Sequence, residues 1–427
     1  MKKRFPRRGD AVRHLAPLCA AACALAGAPA RAADDPNPYT LGVLETITHD
    51  SNVFRAPDGT GVAADWLSTT GIVGSIDQPI GRERLKASGE FDLNKFRNQS
   101  QLDSTAHTLS IEGDWATIDR LSGALGYSDS SQLYRYSLNS LQTLTARNTL
   151  DTRSAFARFH LGVVTRMTFN ATFNAQQQEY SADAFRYRDQ NRRDGLLGVS
   201  YQTSADLSTS LSYRRTSGDY PHYQTVVDGS GNVVSNPDHF TRNDIIFGLV
   251  YAATGASQFR LNVSKADERH SIITSRSFHT WAADGAWDWT PTGRTQLTLD
   301  FVRDDDTGAE DVSFFGVPLA GTDATRRTAV TGKIAYELTA KIKVTASGSF
   351  ARRELDTAFA DLQQAGTSGS DKLYQASLGF TYLPTRAIQL GCNASKEQRT
   401  VQGTSGLIVT YPYKATVLSC TGQFSFN

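Results

Sequence analysis

The chain has 427 residues, of which 39% are hydrophobic and 20% charged, and its formal net charge is +1. A soluble chain of this length would divide into two or three domains, each around its own core, whereas one sheet closed on itself in a membrane can use the whole chain. No nucleic-acid partner is expected, because the charge left once residues 1–32 are removed as a leader is net negative.

Residues 1–32 read as a cleaved secretory leader. Lys2, Lys3, Arg4, Arg7 and Arg8 make a basic start, 15–26 is short and apolar, and Ala30-Arg31-Ala32 supplies a cleavage site. The apolar stretch is well under the roughly 20 residues that span a bilayer. These residues carry seven basic side chains against Asp10, so their removal takes the net charge from +1 to −5. Cys19 and Cys23 leave with them. Cys392 and Cys420 remain, in a compartment that permits disulfides. No later apolar run reaches the length of a transmembrane helix.

From Tyr39 onward the recurrent signal is alternation with period two. The runs 39–49 and 67–80 alternate least cleanly. Then Leu85, Ala87, Gly89, Phe91 and Leu93 interleave with Lys86, Ser88, Glu90, Asp92 and Asn94. Farther on, Trp281, Trp287 and Trp289 flank Asp284 and Asp288, and Leu297-Thr298-Leu299-Asp300-Phe301 repeats the division. Val330, Gly332, Ile334, Tyr336 and Leu338 face Thr331, Lys333, Ala335 and Glu337 in the same way. The last run places Leu418, Cys420, Gly422, Phe424 and Phe426 on one face, with aromatics suited to an interfacial girdle. Barrels of this kind commonly end in an aromatic residue; here it is penultimate.

These runs are about 12 to 15 residues long, longer than the usual five or six of soluble strands. Short turns recur at 79–81, 117–119, 164–166, 203–205, 254–256, 291–293, 339–341 and 384–386. Longer polar connections lie between them, at 50–65, 219–239 and 304–322 among others. Short turns alternating with long loops are the periplasmic and extracellular ends of an outer-membrane barrel. The fold predicted for 33–427 is therefore a single all-β domain, an antiparallel up-and-down transmembrane β-barrel of about 18 strands (16–18), located in the bacterial outer membrane. Its backbone diameter would be roughly 35 Å. Residues 219–239 are the candidate plug or lid. Val226-Val227 and Val233-Val234 around Asp228-Gly229 also give them a hairpin signal, so the strands could instead extend above the membrane.

Parity selects candidate pore-lining residues: Lys86, Glu90, Asp92, Glu112, Asp114, Arg158, His160, Arg192, Asp194, Arg214, Arg260, Asp284, Asp288, Asp300, Lys333, Glu337 and Lys343. Both signs are present. Such a wall is either a hydrated, self-neutralising surface or a selectivity surface for a polar solute. Asp304, Asp306, Gly308 and Glu310 form an acidic stretch in a predicted outer loop, read as a solvated loop because the full spacing of a calcium site is missing. Cys392 and Cys420 fall on the last two predicted strands, equidistant from residue 406. They are either a cross-strand disulfide, which needs Cα atoms near 5.5 Å, or two separate thiols. No G-x-S-x-G, H-E-x-x-H or P-loop motif is present. No catalytic residues, metal or cofactor are assigned, and the chain is not read as an enzyme. Outer-membrane lipid and lipopolysaccharide are the expected surroundings of its outer wall.

The stretch Thr48-His49-Asp50-Ser51-Asn52-Val53-Phe54-Arg55-Ala56-Pro57-Asp58 resembles the opening of EpsL-type outer-membrane proteins of exopolysaccharide biosynthesis, a branch of a wider group of β-barrel porins. That family has a first strand ending in a His-Asp-(Ser/Asp)-Asn-hydrophobic-Phe-Arg stretch and then Pro-Asp. The resemblance implies a role in exporting a polysaccharide, alongside periplasmic and inner-membrane components. It carries over no catalytic residues. Read by themselves, His49 to Asn52 are a strand end entering an Asx-type turn. Two other functions fit the same barrel: a general or substrate-specific porin for small solutes, and a plugged structural or adhesive barrel. An inward constriction loop with opposed charges would favour the porin, and a wide open path would favour export.

Overall fold

The computed structural model describes residues 38–117, 120–134, 147–164, 166–227, 229–230, 232–272, 277–306, 312–314, 317–319, 324–357, 367–404 and 411–426. The leader expected at 1–32 lies outside them. Twenty strands follow in chain order: β1 (Tyr39–Asp50), β2 (Asp65–Ile80), β3 (Glu83–Phe96), β4 (Ser104–Ala116), β5 (Leu121–Leu133), β6 (Thr149–Val164), β7 (Met167–Tyr180), β8 (Gln190–Gln202), β9 (Leu207–Val227), β10 (Val233–Thr254), β11 (Ser257–His270), β12 (Phe278–Thr292), β13 (Thr295–Asp306), β14 (Val312–Phe314), β15 (Val317–Leu319), β16 (Ala324–Thr339), β17 (Ile342–Thr357), β18 (Thr367–Tyr382), β19 (Ile388–Thr404) and β20 (Tyr413–Phe426).

Among the described residues, eighteen of these form one antiparallel sheet. Each pairs with its neighbour in sequence, β13 with β16, and β20 returns to β1 over the register Leu41↔Phe426 to Asp50↔Val417. The sheet is thus closed and has no free edge, as spanning a bilayer with strands requires. β14 and β15 form a separate small hairpin.

Short turns gather at one end. Ile80 faces Glu83 and Thr292 faces Thr295, leaving two-residue connections. In the first of these, Gly81 sits at φ +65°, the left-handed conformation that a two-residue hairpin needs and that glycine adopts without strain. The other end carries the long connections. By the usual asymmetry the short-turn end is periplasmic and the long-loop end extracellular.

The alternating runs give the wall its two faces. Leu109, Phe173, Leu197, Leu211, Ile245, Trp281 and Leu378 are all exposed, although each is strongly apolar. Trp281 reaches 64%. Phe259, Trp287 and Trp289 stack on one another at 5.6 and 5.5 Å on this same face. A soluble protein would bury such a surface; a continuous exposed apolar belt around a closed sheet is a lipid-facing wall. The chain is a closed eighteen-strand transmembrane β-barrel, the architecture with which proteins of the outer membrane span it. The opposite parity carries many of the charged side chains, and these point inward. The ion pair between Arg242 Nη2 and Asp304 Oδ1, at 3.3 Å, joins β10 to β13. Strands three apart can meet only on the concave side.

Tall strands decide between the two readings of 219–239. β9 and β10 are 21 and 22 residues long, and their ladder continues to Val227↔Val233. The two strands stay paired to that point, so this segment is a hairpin that prolongs β9 and β10 and not a plug. The acidic stretch is likewise corrected. Asp304 lies inside β13 and faces inward to Arg242, because β13 runs on to Asp306. Gly308 and Glu310 lie outside the described residues.

Candidate functional site

The inward element is the first connection, 51–64. Its start is built by local chemistry. The Asn52 backbone N–H donates to Asp50 Oδ1 at 2.9 Å, which is an Asx turn. The Asn52 side chain then replaces a ladder: Nδ2 donates to the carbonyls of Ala56 and Lys414 at 2.9 and 3.1 Å, and Oδ1 accepts from the Ala56 N–H at 2.9 Å. Arg55 adopts φ +52°, the only non-glycine residue with positive φ among those described. That turn swings its side chain back beneath the loop.

Arg55 is 1% exposed. Its Nη1 pairs with Asp50 Oδ2 and its Nε with Glu397 Oε2, both at 2.8 Å. Nη1 also donates to the Asn52 carbonyl. Burial works against the charge of this guanidinium. The carboxylates of Glu397 and Asp50 outweigh it and hold its pKa above the ordinary value. Next along the segment, Phe54 joins Leu102, Tyr134, Tyr180 and Phe185 in a buried cluster. Tyr134 follows β5 and Tyr180 ends β7, six strands around from β1. The connection therefore runs from the β1–β20 side toward the β5–β7 side, across the mouth.

Two further charged clusters lie on the same inward face. In one, Arg353 holds Asp371 through two hydrogen bonds, the Nε one at 2.9 Å, and Arg399 approaches the same carboxylate at 3.6 Å while lying 4.7 Å over the Tyr413 ring. In the other, Asp244 accepts from Arg242 at 2.9 Å and from Arg214 at 3.0 Å. Arg242 also approaches Glu268 at 3.7 Å, and His270 bridges Glu268 and Asp238 at 2.9 and 2.6 Å. All the buried charged side chains among the described residues lie in the extracellular half of their strands or in the connections above them. Opposed charges and aromatic rings thus narrow the upper lumen.

The residues selected from parity sit mainly lower, on the same inward face. Lys86 reaches Asp114 at 2.7 Å and Glu112 at 3.4 Å. Arg260 reaches Asp288 at 2.6 Å, and Asp284 accepts from Asn262 at 2.8 Å. Arg158 lies 4.0 Å over the Phe156 ring and His160 contacts Asn170 at 2.8 Å. Arg192 and Asp194 are 4.0 Å apart, and Asn174 donates to Asp194 at 2.7 Å. Glu337 and Lys343 are register partners, Lys333 faces Thr298, and Asp300 faces Thr331. Glu90 and Asp92 share the inward face of β3, and Asp92 is buried. Arg214 alone of this set joins the upper clusters. The lower inward face thus carries half-exposed side chains of both signs, several of them paired with each other.

The charged core of the constriction was not selected beforehand. Asp50, Arg55, Arg242, Asp244, Glu268, Arg353, Asp371, Glu397 and Arg399 all obey the inward parity or sit in the first loop. What the strand residues among them share is height: each stands nine to twelve positions from the short-turn end of its strand.

Cys392 and Cys420 are register partners on the outward face, with Cα atoms 4.1 Å apart, joined as a disulfide.

No protein-family model matches the sequence, and no curated protein matches it. In three-dimensional shape the chain is similar to OccK3 (OpdO) of Pseudomonas aeruginosa, at 10% identity over 91% of this chain and 95% of that one, with a TM-score of 0.47. The outer membrane protein OpdK of the same organism matches at 10% identity over 91% and 99%, TM-score 0.47. OccAB3 of Acinetobacter baumannii matches at 11% identity over 91% and 99%, TM-score 0.48.

Proposed function

We propose that this barrel is a passive channel for small polar solutes, with the first connection as its constriction. The observation that carries the reading is the inward fold of 51–64, which sets Arg55 between Asp50 and Glu397 over a charged upper lumen. A charged throat selects solutes by size and by their fit to fixed donors and acceptors. The pore-lining set from Lys86 to Lys343 would serve as the wet vestibule below. Participation in polysaccharide export, implied by the resemblance at 48–58, calls for a wide path. The residues that carry that resemblance are the ones that narrow the mouth, and this favours the small-solute reading.

The test is reconstitution of the folded barrel in planar bilayers and in liposomes. Ohmic single-channel conductance should appear, with liposome swelling by monosaccharides or amino acids and exclusion of long oligosaccharides. A barrel that carries no current, or one that admits long oligosaccharides as readily as monosaccharides, would overturn the proposal.

A further inference from the structure

The outer wall carries a second pattern. At the extracellular edge of the apolar belt, β13, β16, β17 and β18 each turn a basic side chain outward: Arg303, Arg326, Arg352 and Lys372. Their parity is that of the exposed Phe301, Val330, Phe350 and Tyr374, which lie one or two outward steps closer to the membrane centre. The Phe350 and Tyr374 rings meet at 5.3 Å directly below Arg352 and Lys372.

Neutralisation within this patch is incomplete. Arg352 and Lys372 are register partners, so two like charges stand opposite each other on one face, an arrangement that is destabilising by itself. Glu354 is shared by Arg326 at 3.6 Å and Arg352 at 3.1 Å, and Asp305 is the register partner of Arg326. Arg303 and Lys372 have no ion-pair partner among the described residues. A cation on a lipid-facing wall is costly at the bilayer midplane and nearly neutral at the interface, which fits this level.

We propose that Arg303, Arg326, Arg352 and Lys372 bind the phosphorylated headgroup of an outer-leaflet glycolipid. The guanidinium forks match phosphate geometry and its charge. The shared ligand chemistry is a phosphate group. Its lipid source follows from the aromatic steps immediately beneath, which would contact acyl chains while the cations hold the headgroup. An anion between Arg352 and Lys372 relieves their repulsion.

The probe is lipopolysaccharide added to the purified barrel in neutral detergent, with retention read by native mass spectrometry. Dephosphorylated glycolipid and inorganic phosphate form the other two arms. The variant is R303Q/R352Q/K372Q, its folding checked by the altered gel mobility of an unboiled barrel. Affinity for the phosphorylated glycolipid should fall on the order of a hundredfold in the variant, at roughly fivefold per cation. Dephosphorylated glycolipid should bind the wild type at least about tenfold more weakly, and millimolar inorganic phosphate should not displace the glycolipid. If the triple variant fails to fold, K372Q alone should show about a fivefold loss. Undiminished binding by a folded variant, equal binding of the dephosphorylated form, or displacement by inorganic phosphate would each overturn the assignment.

Discussion

Replacing Arg55 by Ala should open the mouth of the barrel without unfolding it. The guanidinium is 1% exposed and has two carboxylate partners at 2.8 Å. Its removal leaves Asp50 and Glu397 facing each other in a buried site. Removing one partner of a buried ion pair costs about 3–5 kcal/mol. The barrel's eighteen-strand ladder does not depend on this contact, so the cost falls on the loop. With a tenfold change for every 1.4 kcal/mol or so, the ratio of swung-out to docked loop rises by about a hundred to a few thousand. What still holds the loop is the buried Phe54 ring, worth about 2 kcal/mol, and the hydrogen bonds of Asn52, each about 1 kcal/mol. Planar-bilayer recording should therefore show a larger and noisier unitary conductance in Arg55→Ala, and a cysteine placed at Gly59 should react faster with a water-soluble maleimide. Glu397→Gln, which keeps an acceptor and removes only charge, should give the same change at smaller amplitude. Unaltered conductance and unaltered labelling in a folded Arg55→Ala barrel would mean that 51–64 is not held by this clamp.

Three further outcomes follow from the same geometry. Asn52→Ala removes three hydrogen bonds from the turn, a local loss of about 2–3 kcal/mol; limited proteolysis of the folded barrel should then nick within 51–64. Serine at Cys392 and Cys420 removes a cross-link closing a sequence separation of 28, worth about 3 kcal/mol in the chain-entropy account; the urea midpoint of the unboiled gel band should fall while conductance stays unchanged. Leu378 and Ser377 are adjacent in β18 on opposite faces, Leu378 being 59% exposed in the middle of the belt. Leu378→Arg should cost roughly 2–4 kcal/mol and lower the yield of inserted barrel, whereas Ser377→Arg should insert normally and change only ion selectivity; equal yields from the two would contradict the assignment of faces.

Parity made the fold legible because lipid and lumen are different solvents, and a period of two sorts side chains between them whatever the rest of the chain does. That is why Trp281, Leu299 and Leu338 could be placed outside, and Lys86 and Asp284 inside, before any pairing was known. Parity carries no information on height, and the constriction is a matter of height. Asp371 and Lys333 obey the same alternation, yet Asp371 is fully buried against Arg353 and Lys333 is solvated. The difference comes from the arginines of the two neighbouring strands, Arg353 and Arg399, which close over Asp371, while Lys333 faces only Thr298 across the β13–β16 ladder. Which loop turns inward was also hidden. Residues 51–64 and 219–239 are both polar connections of comparable length. The Asp50-Ser51-Asn52 sequence, which satisfies backbone groups through side chains instead of a ladder, is what distinguishes 51–64 from the paired strands of 219–239.

The inward loop is also tied to the closing of the barrel. Asp50 belongs to the first strand, while Glu397 and Lys414 belong to the last two. Ser51 N–H donates to the Thr416 carbonyl at 3.0 Å and Thr416 N–H to Ser51 Oγ at 2.8 Å, continuing the β1–β20 ladder past its last pair. The Asx turn and the Asp50–Arg55 contact need only local sequence and can form early. The contact with Glu397 and the hydrogen bond to Lys414 can form only when the two ends of the sheet meet. Half of the clamp is therefore present before closure and half is completed by it. The narrow mouth and the sealed seam arise in one event, so the constriction is absent from any barrel whose first and last strands remain apart.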